Sequence, residues 1–103
     1  MTESPIDHAN YRGHEVIDDH ADHVGTVTDV VYSNEGQPQW VVVNPGLLRA
    51  SHYVPVAGSY LTEGGAMTIP FTKAQVKAAP KASHDHVLTH DVERMLEQHY
   101  ELN

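Results

Sequence analysis

Three histidines near the C-terminal end, His84, His86 and His90, stand beside Asp85 and Asp91, and imidazole paired with carboxylate is a ligand set for zinc, nickel or copper. Such a site needs outer partners to hold the rings, and the Lys-Ala-Ser stretch before them offers few. A solvated linker is the simpler reading, with a histidine-based divalent metal-binding protein as the alternative. Asp18, Asp19, His20, Asp22 and His23 form a second cluster. It lacks the glycine and terminal glutamate of a calcium-binding loop and reads as a polar turn. Ser51 and His52 are neighbours in an extended stretch, so their side chains point to opposite faces and do not make a nucleophile with its base. Gly64 and Gly65 suit a hairpin tip better than a phosphate cradle. With no cysteine, thiolate nucleophiles and thiolate metal sites are excluded. Neither an enzyme nor a bound cofactor is expected.

The charge balance narrows the partners. Fourteen acidic and six basic side chains give a formal charge of -8 over 103 residues, which repels a phosphate backbone, and the basic residues are scattered along the chain rather than striped. Nucleic acid is therefore not an expected partner. Nine histidines titrate near neutrality, so mild acid should carry the chain towards zero charge and lower solubility. No apolar run approaches the length of a membrane span, and the first ten residues lack the pattern of a signal peptide. The expectation is a single domain in the cytoplasm, without direct membrane insertion.

The elements that position these residues are mostly extended. Thirteen valines and three isoleucines against six leucines favour strands. Residues 12–17 read as a first strand, and GTVTDVVY (25–32) as a second whose alternation breaks at Val30 and Val31, as at a bulge. A turn at 34–37 leads to QWVVVN (39–44), whose continuous apolar block suggests cover on both faces. Trp40 in that block is expected in the core. SHYVPV (51–56) follows, with Pro55 at an edge, and then come two short strands around Gly64 and Gly65. Six short strands imply a small sandwich or barrel. Thr72 caps a helical turn that ends before Pro80, residues 81–88 link, and residues 89–102 form a helix with Val92, Met95, Leu96 and Tyr100 at helical spacing.

Several stations in order resemble the PRC-barrel domain, a module also seen in the photosynthetic reaction-centre H subunit and in ribosome-maturation factors. They are HEVIDDHADHVG, GTVTDVVY, NEGQPQWVVV, PGLLRASHYVPVAG and FTKAQVKAAP, within residues 11–80. The tail HVLTHDVERMLEQHYELN is similar to the helix after the barrel in stand-alone actinobacterial members with an HYGL-like ending. Two departures stand out: His20 occupies the first acidic turn, where members often carry glycine, and residues 46–54 are shorter than a GLFG-containing version. The resemblance implies a mainly β fold, a small antiparallel SH3-like barrel of about six short strands with a C-terminal α-helix. It also implies a non-catalytic docking or assembly module, frequently dimeric. A ribosome or RNA-processing accessory role comes with the same resemblance, and the acidic charge argues against it.

An interaction module needs a surface. Leu47 and Leu48 lie on a loop with no local reason for burial, and Tyr53 follows close by. Val92, Leu96 and Tyr100 supply a helix stripe that lies on the chain's own barrel or on a second subunit. These six residues are the expected interface, the partner is a protein, and a homodimer is the expected state.

Overall fold

The computed structural model describes residues 11–46, 49–62, 64–82 and 88–102. Six strands precede two helices: β1 (Glu15–Ile17), β2 (His23–Tyr32), β3 (Pro38–Asn44), β4 (His52–Pro55), β5 (Tyr60–Leu61), β6 (Met67–Thr68), α1 (Lys73–Ala78) and α2 (His90–His99). All six strands join one sheet in the order β4-β3-β2-β1-β6-β5, a mainly β half-barrel. Four of its five pairings are antiparallel, but β1 and β6 run parallel, Val16 lying opposite Met67 and Ile17 opposite Thr68. That corrects the all-antiparallel expectation. The side of β1 away from β6 is taken by its neighbour in sequence, β2, and β6 arrives only after the chain has run through four more strands. Its direction is set by that path, not by a tight turn. The ladder also ends at β4 and β5 rather than closing, so among the described residues the strands form an open sheet.

The valine-rich blocks behave as their patterns require. Trp40, Val41, Val42 and Val43 are all at most 1% exposed, so both faces of β3 are covered. The β2–β3 register slips between Val27 and Asp29 and between Val31 and Tyr32, so the broken alternation marks real irregularities in the ladder. Gly25 is required by close approach. A Cβ there would stand 2.8 Å from both the Asn44 carbonyl carbon and Val43 Cγ1. Trp40, Tyr53, Met67, Ile69 and Leu96 are the bulkiest fully buried side chains and bring β3, β4, β6 and α2 to one core.

Both helices are capped by the threonines before them. Thr72 Oγ1 accepts from Gln75 N at 3.1 Å, and Thr89 Oγ1 from Val92 N at 3.2 Å. Leu88, Val92, Leu96 and Tyr100, four apart, form the stripe that packs on the core. Met95 is 54% exposed and does not belong to it, which narrows the expected stripe. The last turn of α2 closes with Leu102 N donating to Glu97 O at 2.9 Å and Glu101 N to Gln98 O at 3.2 Å. Glu101 takes φ of 56° to make this possible, the left-handed position that glycine holds most cheaply.

Candidate interaction surface

The candidate metal ligands fall in different places. His84 and His86 lie outside the described residues, and His90 is exposed on the first turn of α2. Asp18, Asp19 and His20 do bring three ligand atoms within 4.8 Å of one another. The Asp18 carboxylate, however, is already engaged. Its Oδ1 accepts from His20 N and Asp22 N, each at 2.9 Å, and its Oδ2 from Lys73 N at 3.0 Å. The residue is 2% exposed, and it ties the β1–β2 turn to the start of α1. Desolvation pushes its pKa up, but the N–H groups of Asp22, Lys73 and His20, helped by the His20 ring, outweigh that and hold it below the ordinary aspartate value. The cluster works as the polar turn read from the sequence. The strained residue in this turn is Ala21, with φ of 66°, and not the neighbouring His20 where the family's glycine was expected.

His52 is buried, and its Nδ1 donates to Ala79 O at 3.0 Å, while the Ser51 carbonyl accepts from Ala82 N at 2.8 Å. Together with the His52–Lys81 bridge, these bonds cover the outer edge of β4. Gly65 sits in the β5–β6 turn with φ of 87°, its carbonyl oxygen accepting from His14 Nδ1 at 2.6 Å.

Of the six expected interface residues, Leu47 and Leu48 lie outside the described residues. Tyr53, Leu96 and Tyr100 are 1%, 0% and 3% exposed, and Val92 is half-buried against them. Their side chains fill the chain's own core, which leaves the outer surface to other groups. Large apolar side chains do stand on that surface: Tyr60 on β5 at 57%, Met95 at 54%, Tyr32 at 45% and Leu102 at 39% exposure. Met95 borders a shallow hollow with Ala78, Pro80, Gln98 and His99, between the ends of the two helices. A larger groove of about 720 Å³ separates the β2–β3 hairpin, with Tyr32 and Glu35, from Leu88, His90 and Glu93.

The sequence reading missed one feature. Three of the six basic residues, scattered along the chain, meet in space: Arg49, Lys73 and Lys77 line one hollow with His23, Val24 and Pro45. The four-residue spacing of Lys73 and Lys77 within α1 was the only local signal; the arrival of Arg49 from the β3–β4 loop had none.

Fold and surface together define a small β-rich half-barrel whose C-terminal helix completes its core. Residues 6–76 match the family model of the PRC-barrel domain, and the chain belongs to that family. Comparison with curated proteins gives no match. No helix among the described residues is long and apolar enough to cross a membrane.

Proposed function

We propose that this chain is a non-catalytic protein–protein interaction module that acts as a homodimer. The carrying observation is Tyr60. It is 57% exposed on β5, the terminal strand of an open sheet, and no strand among the described residues pairs with the outer edge of β5. An unpaired edge beside an exposed aromatic ring supports association by strand pairing and by ring burial. The family supports the same reading, since its domain is generally a non-enzymatic interaction module. Leu47 and Leu48 join the proposed surface on their sequence context, between Pro45-Gly46 and the exposed Arg49.

The test is light scattering on wild type, Tyr60→Ala and Leu47→Ala/Leu48→Ala, with crosslinked capture from the native host alongside. A dimer weakened by about 1–3 kcal/mol in either variant, with the circular dichroism spectrum unchanged, supports the reading. A monomeric wild type that captures no protein overturns it, as does turnover of a small molecule by the purified chain.

A further inference from the structure

We infer that the hollow lined by Arg49, Lys73 and Lys77 is a docking site for an acidic peptide segment of a partner protein. This inference rests on the reading of the chain as an interaction module.

Three of the chain's six basic residues meet here, from the β3–β4 loop and from one face of α1. Among the described residues none of the three makes an ion pair, whereas Arg12 is paired with Asp29 and Arg94 with Asp91. Among the described residues no carboxylate lines the hollow. Glu15 Oε2 holds His23 Nδ1 at 2.7 Å, Asp18 is capped by main-chain N–H groups, and Asp18 and Asp22 line a separate hollow that Lys73 and Lys77 also border. A cationic hollow on an acidic protein is complementary to a local run of carboxylates.

The geometry favours carboxylates on a peptide over a phosphate. The hollow is about 210 Å³, below the size of a typical small-molecule site, with room for one or two acidic side-chain heads. A phosphate cradle draws on several free main-chain N–H groups, but two of the first three of α1 are taken, Lys73 N by Asp18 and Gln75 N by Thr72. What remains is the Arg49 fork and two lysine point charges, which pair with successive carboxylates. Val24 and Pro45 add an apolar wall for the aliphatic side chains between them. A nucleic acid would extend beyond the hollow onto an acidic surface.

The experiment is amide chemical-shift mapping of the full chain with three probes: a capped hexapeptide of alternating glutamate and leucine, inorganic phosphate, and a single-stranded oligonucleotide. The peptide should shift the amides of His23, Val24, Arg49, Lys73 and Lys77 saturably. Arg49→Gln/Lys77→Gln should weaken it by about tenfold or more, as expected for two lost charge pairs, while Arg94→Gln leaves it unchanged. No saturable shift at these residues, equal affinity in the double variant, or tighter binding of phosphate or the oligonucleotide would overturn the assignment. Dimer formation and partner capture by the double variant are read in parallel. If they persist while the peptide fails, the hollow is wrong and the interaction module stands; if wild type shows neither, the module itself has failed.

Discussion

The Tyr100 hydroxyl, at the end of α2, donates to the main-chain oxygen of Tyr53 on β4 at 2.7 Å. The phenol is buried, and burial pushes its pKa well above the ordinary tyrosine value, so it stays protonated and a donor throughout the useful pH range. Around it the ring stands edge-on to Phe71 at 4.7 Å and tilted to Trp40 at 6.4 Å. This single side chain fastens the C-terminal helix to the sheet by both a hydrogen bond and aromatic packing. Tyr100→Phe keeps the ring and removes the donor, and should cost about 1 kcal/mol in urea denaturation. Tyr100→Ala should cost about 3–5 kcal/mol, because it also opens a cavity in the core.

Asp18 gives the fold an acid-sensitive joint. Its folded-state pKa lies below its unfolded value, so the stabilisation is present above the unfolded pKa, near pH 4, and is lost as pH falls through the lower folded one. Asp18→Asn retains one acceptor oxygen but turns an N–H group towards the donor of Lys73 or of the turn. The variant should lose about 1–3 kcal/mol at pH 7. Its denaturation midpoint should also change less than that of wild type between about pH 4 and pH 2. A parallel pH dependence in the two proteins would rule out Asp18 as the titrating group.

Glycine is missing from two left-handed positions. Glu101 holds φ of 56° in the αL cap of α2, and Ala21 holds φ of 66° in the first turn. Glu101→Gly and Ala21→Gly should each raise stability by about 0.5–1 kcal/mol, as relief of the left-handed strain exceeds the added flexibility of the unfolded chain. Thermal melts check both, and the two gains should add because the sites share no partner.

Gly25 predicts the opposite sign. A methyl group here meets the Asn44 main chain, which cannot swing aside, as well as Val43 Cγ1. Gly25→Ala should destabilise by about 1–3 kcal/mol, with amide protection lost first at the Thr26 and Asn44 pair.

Much of this fold is written in local chemistry. The valine blocks, the turn glycines, the Thr72 cap, the helical spacing of the tail and Pro80 place six strands and two helices, because backbone preference, side-chain period and capping act over a few residues. The order of the motif stations carries the family as well. The candidate site was far less legible. A stripe such as Val92, Leu96 and Tyr100 shows that a face will be buried, but not whether its own sheet or a second subunit covers it; the sheet does so for Leu96 and Tyr100.

By itself the sequence determined the β-rich class, the core position of Trp40, the irregular second strand and the terminal helix. Only the tertiary structure decided that β6 lies parallel to β1, that Tyr100 reaches Tyr53 across 47 positions, and that Arg49 meets Lys73 and Lys77. The reason is the range of the forces involved. Alternation and capping are fixed by neighbours along the chain, whereas strand direction and charge clustering depend on where distant segments come to rest once the apolar faces have found one another.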